Sequence, residues 1–539
     1  MPFPPFPAWT WDLPEHFNIG VACTDAHLGT ASEDRLAMIV EDDELGVSQA
    51  TYKELAERSS RFAQLLRNLG VEDGERVLIR LPNCLDYPTA FLGAMKRGAI
   101  SVPTSTLLTA EEVVYLAQDS GASVLVTDQT MWATLHDKLA GLESLRLVLL
   151  SGVVPPLEKG GGVLDLDAAL AEITICAPPH PTKSHDPAYL VYTSGTTGYP
   201  KGVLHAHRAM IGREPAANYW FDFAEEGDRI VHSGKFNWTY VLGSALMDPL
   251  YLGKTVIVHE GKNDATGWVR LIAKHRASIF IGVPTLYRQI IQKTAFTGAD
   301  VPTLRHCMSA GEHLSDEMLG LWRERFGVEI YEAVGMSEVS YYLSENKFRP
   351  IRPGSAGFPQ PGHDVRLLDP DTLKEVAPGE EGMICLPSED PGLFMRYWNL
   401  PGETGKAFKG EWFLTGDYAR FDEDGYIWFL GRRDDIINSF GYRVSPHEIE
   451  RVMKTHPAVA DCAATGEELG ADKVLVVAYV MLHPGMETSP DELLAFGRQH
   501  LAGYKAPKIV YLAADFPRTK NGKIMRRQLS QAIAGGRSQ

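Results

Sequence analysis

Residues 193–201 read Thr193-Ser194-Gly195-Thr196-Thr197-Gly198-Tyr199-Pro200-Lys201, a loop rich in hydroxyls and glycine and closed by a lysine. Such a loop can hold phosphate. Gly195 and Gly198 let backbone N–H groups approach an anion, the hydroxyls of Thr193, Ser194, Thr196 and Thr197 add donors, and Lys201 supplies a positive charge. The spacing is not that of a Walker A loop, because Gly202 follows the lysine where that loop needs Ser or Thr. An ordinary polar loop is the competing reading. A second cationic element lies far downstream: between Leu501 and Gln539, Lys505, Lys508, Arg518, Lys520, Lys523, Arg526, Arg527 and Arg537 face a single acid, Asp515. That excess suits a polyphosphate ligand, and a solvated basic tail is the alternative.

The elements that must place these groups are legible in outline. Tyr189-Leu190-Val191-Tyr192, just before the loop, is an apolar, strand-like run. Val77–Arg80 reads as a strand, and a helix from about Asp86 carries Tyr87, Phe91, Leu92 and Met95 at helical spacing and stops at Gly98. Thr109-Ala110-Glu111-Glu112 is a capping box opening the next helix, and residues 123–127 return as strand. Repetition of this unit implies a mainly parallel sheet covered by helices. A break comes near Arg432-Arg433-Asp434-Asp435. Beyond it, Ser445-Pro446-His447-Glu448 and Ser489-Pro490-Asp491-Glu492 open two helices with one device, an N-cap Ser, Pro at the first position and Glu at the third, with a strand at 474–481 between them. The chain is too long for one hydrophobic core, so the expected α/β fold is a large N-terminal domain, 1–433, and a smaller α+β domain, 434–539.

Composition narrows the partners. A net charge of −17 argues against nucleic acid or an anionic membrane surface. No apolar stretch approaches the roughly 20 residues of a membrane span, and Met1-Pro2-Phe3-Pro4-Pro5 lacks the start of a signal peptide. Pro and Trp there suggest an extended arm lying on the body. The six cysteines are scattered without zinc-site spacing, which fits a reducing cytoplasm. Cys307 reads as a packed thiol. His205 and His207, flanking Ala206, could mark a pocket edge, and Asp422-Glu423-Asp424-Gly425 reads as a solvated hairpin turn.

Five further segments follow the phosphate loop in order: Ser309-Ala310-Gly311-Glu312, Val334-Gly335-Met336-Ser337-Glu338, Thr415-Gly416-Asp417, Gly431-Arg432-Arg433-Asp434 and Pro517-Arg518-Thr519-Lys520-Asn521-Gly522-Lys523. Together they resemble the adenylate-forming superfamily of acyl- and aryl-CoA synthetases, luciferases and non-ribosomal adenylation domains, over nearly the whole chain. The resemblance implies stacked, mostly parallel sheets with a mobile C-terminal domain. It also implies a reaction in two steps: a carboxylate attacks the α-phosphorus of ATP to give acyl-AMP and pyrophosphate, then a thiol such as coenzyme A displaces AMP. Each segment then has an expected role. Ala310, Gly311 and Glu312 lie flat against adenine beside Gly335. Glu338 holds Mg²⁺ and Ser337 contacts the α-phosphate, with Ser337 standing where the family has Thr and Val334 where it has an aromatic. Asp417 binds ribose, Arg432 lies near ribose and phosphate, and Asp434 is the hinge. Lys523 bridges the acid and the α-phosphate. After rotation Gly441, Tyr442 and Arg443 meet CoA, a surface salt bridge being the other reading of Arg443.

The acyl pocket is expected from Trp238, Tyr240, Val283, Val334 and Met336; Trp238 and Tyr240 are rigid and would block a long alkyl tunnel, with core packing as their competing reading. Thr106-Leu107-Leu108-Thr109-Ala110-Glu111 and the pocket segment 235–243 look most similar to benzoate- and aminobenzoate-CoA ligases, with medium-chain acyl-CoA synthetases close behind. The alternatives to an acid–CoA ligase are an adenylation enzyme loading a separate carrier protein and a catalytically silent nucleotide sensor. The resemblance also leaves room for a homodimer and for a lysine acetyltransferase acting on Lys523.

Overall fold

The computed structural model describes residues 5–152, 162–193, 200–262, 264–311, 314–432, 437–439, 442–468, 474–501, 503, 505–518 and 524–529. Two large sheets dominate. In the first, eight strands run in the order Arg396–Tyr397, Lys201–Ala206, Pro187–Thr193, Ile100–Pro103, Arg76–Arg80, Val124–Asp128, Leu147–Ser151 and Val163–Asp165; all pair in parallel except the first two, which add antiparallel. The second has nine strands. Its parallel centre joins Ile330–Met336, His306–Ala310, Ile279–Gly282, Arg229–His232, Thr255–Glu260 and Leu36–Asp42, with antiparallel strands at both edges.

Alternation along these strands explains the stacking. Val77 and Ile79 turn into a core shared with Met38, Val40, Val256 and Val258 of the second sheet, whereas Leu78 and Leu125 turn outward beneath the helices Ala110–Ser120 and Gln129–Leu139. On the far side of the second sheet, Ile39, Ile257 and Phe280 pack under Ala265–Lys274, Pro284–Lys293 and Asp316–Phe326. Sheets buried on both faces need apolar residues in both phases, and these strands have them. The helix Asp86–Arg97 has all 12 residues buried and ends at Gly98, whose φ of 83° is the left-handed cap expected there. Thr109 and Glu112 form the complete capping box.

Three features differ from the expectation. A five-stranded antiparallel sheet, built from Arg366–Leu368, Gly382–Pro387, Trp412–Phe421, Phe408–Lys409 and Ile427–Arg432, follows the parallel sheets, so the βα alternation of the first half does not continue. Asp422 is more than a solvated turn: it accepts from Arg352 Nη1 at 2.7 Å and Trp428 Nε1 at 2.9 Å, latching this hairpin to the loop before Ser355. The two helix-opening devices also diverge. Ser489 and Glu492 bond reciprocally, but at Ser445 only the serine cap forms, because the Glu448 carboxylate is taken by Lys505 Nζ at 2.7 Å.

The C-terminal part packs the helices Pro446–Met453 and Pro490–His500 against a sheet of Val459–Glu468, Val474–Leu482 and Ile509–Leu512 around its own apolar core. The N-terminal segment lies on the body as anticipated: Phe6 packs edge-on to Tyr219 and Phe358, and Trp11 meets the His363 ring at 5.4 Å. All six cysteines are free, and no helix among the described residues is long and apolar enough to cross a membrane.

Candidate active site

The strands Pro187–Thr193 and Lys201–Ala206 form a hairpin that pairs Thr193 with Lys201, so both ends of the phosphate loop are anchored in the first sheet. Ser194, Gly195, Thr196, Thr197 and Gly198 lie outside the described residues, as do Glu312, Asp434, Gly441 and Lys523; Tyr442 and Arg443 are described only as backbone, in the strand Tyr442–Val444. Lys201 is not free in solvent. Its Nζ meets Glu403 Oε2 at 2.6 Å and lies 5.6 Å over the Tyr397 ring, and bonds from Lys201 and Lys406 hold the Glu403 carboxyl down to about 2.

Ser337 and Glu338 sit in the turn between Ile330–Met336 and Ser340–Ser344, and this turn is held on every side. Gly335 must be glycine, since a Cβ would lie 2.3 Å from the Ser340 carbonyl oxygen. Ser340 itself adopts φ of 71°, unusual for a residue with a side chain. The Ser337 hydroxyl donates to Thr239 Oγ1 at 3.4 Å, and Glu338 Oε1 accepts from the Tyr397 hydroxyl at 2.8 Å. Beneath them His205, stacked on Tyr189 with centroids 4.7 Å apart, meets the Ser337 carbonyl oxygen through Nε2 at 2.7 Å.

His205 therefore supports the turn from within the core rather than marking a pocket edge, and His207 is likewise interior, its Nδ1 accepting from the Ile19 N–H at 3.1 Å. Burial lowers the imidazoles of His205, His207 and His232 to about 3 and that of His306 to about 4. These groups stay neutral in the fold but protonate in the unfolded chain below its ordinary value near 6.5, so the unfolded state gains protons and stability falls as pH drops from about 6.5 towards 4. Each histidine contributes up to about 1.4 kcal/mol per pH unit in that window. Thermal unfolding followed at several pH values should show this slope, and His207→Asn, which keeps an acceptor for Ile19, should make it shallower.

Asp417 and Arg432 are cross-strand partners in the antiparallel sheet, Arg432 Nε lying 3.4 Å from Asp417 Oδ1. Asp417 is only 4 % exposed, and its N–H donates to Thr415 Oγ1 at 3.0 Å. A cavity of about 260 Å³ opens here, lined by Gly311, Ala333, Val334, Gly335, Asp417 and Arg432 on one side and by His447, Arg451, Lys454 and Arg526 of the C-terminal part on the other. Carboxylate, small-residue wall and cations thus converge from segments spread between Gly311 and Arg526.

Trp238 lies against the Gly311 turn. The edge of its indole lies 3.8 Å from where a Gly311 Cβ would stand, and its ring meets Tyr240 edge-on at 5.2 Å. Val334 and Met336 pack on the same core as Trp238, while Tyr240 packs with Trp220, Ile281 and Met308. Val283, partly buried, packs against the helix-covered core that holds Leu286 and Tyr287. Cys307 is a packed thiol, fully buried and pushed up by burial. Residues that sequence reasoning passed over are Tyr397, Glu403, Arg213 and Arg451. Their key partners are distant in sequence: Glu338 is 59 residues from Tyr397, Lys201 is 202 from Glu403 and Asp248 is 35 from Arg213, so local spacing did not flag them.

Two stacked α/β sheets followed by a small mixed domain that lines the far wall of this cavity are the architecture of adenylate-forming enzymes. Residues 27–398 match the family model described as AMP-binding enzyme, and residues 448–523 match that of the AMP-binding enzyme C-terminal domain. The chain belongs to this family and is an AMP-forming ligase of the acyl- and aryl-CoA synthetase kind. It is 32% identical over 486 residues to a benzoate–CoA ligase of Thauera aromatica, covering 89% of this chain and 90% of that one. It is 30% identical over 490 residues to the mitochondrial acyl-coenzyme A synthetase ACSM3 of Mus musculus, covering 89% and 83% respectively. Among solved structures, an anthranilate CoA ligase, AuaEII, in complex with anthranoyl-AMP superposes with a TM-score of 0.86 at 29% identity, over 97% of this chain and 99% of that one.

Proposed function

We propose that the protein activates a compact aromatic or short-to-medium-chain carboxylic acid with ATP and transfers the acyl group to coenzyme A, in a cytoplasmic setting. The observation that supports the choice of acid is the position of Trp238, a rigid indole whose edge lies 3.8 Å from where a Cβ of the cleft-lining Gly311 would stand; a bulky ring there leaves little room for an extended alkyl chain. The similarity to a benzoate–CoA ligase and to an anthranilate CoA ligase points the same way.

In the first step an acid oxygen attacks the α-phosphorus and the bond to the β-phosphate oxygen breaks, releasing pyrophosphate. Thr193, Ser194, Gly195, Thr196, Thr197, Gly198 and Lys201 hold the phosphates, Ala310, Gly311, Glu312 and Gly335 flank adenine, Asp417 accepts from the ribose hydroxyls beside Arg432, and Ser337 donates to the α-phosphate. Glu338, 9 % exposed and beside the phosphate loop's hairpin, offers the hard carboxylate oxygens that Mg²⁺ prefers, and the bound ion would neutralise phosphate charge. Lys523 places its ammonium between the two anions. In the second step the small domain, joined to the 1–433 body at Asp434, turns so that Gly441, Tyr442 and Arg443 admit CoA; its sulfur attacks the acyl carbon, the thiol proton leaves, and AMP departs. Acetylation of Lys523 by a lysine acetyltransferase would remove the charge the first step needs and leave the second intact.

Pyrophosphate release with a panel of acids, with and without CoA, tests the reading. Benzoate-type and short acids should release pyrophosphate and yield thioester, whereas palmitate should not. Release without thioester would favour loading of a carrier protein, and no release with any acid would favour a nucleotide sensor. Trp238→Ala should shift the preference towards longer chains, raising kcat/KM for octanoate or decanoate relative to benzoate by about 10-fold or more, the scale set by one or two methylenes.

A further inference from the structure

Glu338 is tied at both ends to one short segment. Its backbone carbonyl accepts from the Phe394 N–H at 2.7 Å, and its carboxylate Oε1 accepts from the Tyr397 hydroxyl at 2.8 Å. Tyr397 is in turn immobilised: its strand pairs it with Val203, its N–H donates to Thr404 Oγ1 at 3.0 Å, and its ring packs on Phe394 at 4.8 Å. Lys201, fixed by Glu403, sits over the ring face. A glutamate side chain has three rotatable bonds, and orienting its carboxylate towards a ligand costs rotamer freedom unless a neighbour fixes it beforehand.

We propose that Tyr397 is a positioning residue for Glu338: its hydroxyl holds one carboxylate oxygen so that the other is aimed at the nucleotide-bound cation, and its ring couples that aim to Lys201 of the phosphate loop. The inference rests on the metal-holding role given to Glu338 above. It places cation and phosphate binding on one rigid unit, because the strand that carries Tyr397 is hydrogen-bonded to the strand that begins with Lys201.

The test is a double-mutant cycle on the full chain, read by electron paramagnetic resonance of Mn²⁺ titrated with a non-hydrolysable ATP analogue, alongside the Mg²⁺ dependence of acid-stimulated pyrophosphate release. Tyr397→Phe keeps the ring against Phe394, so its thermal unfolding should match that of the natural chain. Its Mn²⁺ half-saturation should rise about 10–100-fold, the range typical of groups that orient metal ligands. Glu338→Gln should weaken Mn²⁺ binding at least as much, and the double variant should be no weaker than Glu338→Gln alone. The proposal is overturned if Tyr397→Phe binds Mn²⁺ as the natural chain does, or if its effect adds in full to that of Glu338→Gln. If Glu338→Gln alone leaves Mn²⁺ binding untouched, the metal-holding role itself is wrong, and the inference falls with it.

Discussion

Replacing Lys523 with alanine should lower acyl-AMP formation about 10²–10³-fold, or roughly 3–4 kcal/mol, the scale of a single preorganised group that stabilises developing charge. The reason lies in the arithmetic of the first step: a carboxylate must approach a phosphate that already carries negative charge, and a cation at their meeting point is worth most as the new bond forms. The thioester-forming half reaction, started from chemically prepared acyl-AMP and CoA, should be nearly unchanged, because the sulfur then attacks a neutral acyl carbonyl and no carboxylate has to be brought against a charged phosphorus centre. Single-turnover measurements of the two halves give the split directly. Equal losses in both halves would mean that the residue serves folding or general nucleotide binding, and an unchanged first half would remove the central element of the mechanism proposed here.

A loss of similar size, in stability rather than rate, is expected at Arg213. Its Nε and Nη2 each meet one Asp248 oxygen at 2.7 Å, both side chains are 3 % exposed, and the same guanidinium reaches Ser340 Oγ and the Tyr341 hydroxyl while lying over the Tyr341 ring. Burial alone pushes the Asp248 carboxyl up, and Arg213 opposes that shift. Arg213→Met leaves an ionisable group in the core without its counter-charge and should destabilise the N-terminal body by about 3–5 kcal/mol, whereas Arg213→Met combined with Asp248→Leu should recover most of it. Denaturant unfolding of the three chains checks both statements. The single variant should also lose adenylation beyond what its folded fraction explains, because Ser340, held in its left-handed conformation, closes the turn that carries Ser337 and Glu338.

The strongest expectations from sequence concern groups whose chemistry and neighbours are both local. The Thr109 capping box, the Gly98 helix stop and the apolar strand before the phosphate loop appear as expected, because each depends on contacts within a few residues. The family motifs also bring Asp417 beside Arg432 and Gly335 beside the Gly311 turn. What escaped was of two kinds. The antiparallel third sheet joins strands of two to ten residues whose pairing is set by partners up to tens of residues away, so their local patterns do not reveal it. His205 escaped for the same reason: its place after the loop suggested a pocket edge, yet its ring is stacked in the core and supports the Ser337 carbonyl.

Periodicity and capping signals that travel with the chain were enough to foresee a two-part α/β architecture, and the resemblance of six ordered motifs to adenylate-forming enzymes supplied the adenylating chemistry. How Glu338 is aimed, why Lys201 rests on Glu403, and which faces of Trp238 and Tyr240 meet the core depend on the packing of segments distant in sequence. Side-chain direction is a property of the surroundings: a carboxylate acquires one orientation when a phenol 59 residues away fixes it, and no amount of local pattern contains that contact.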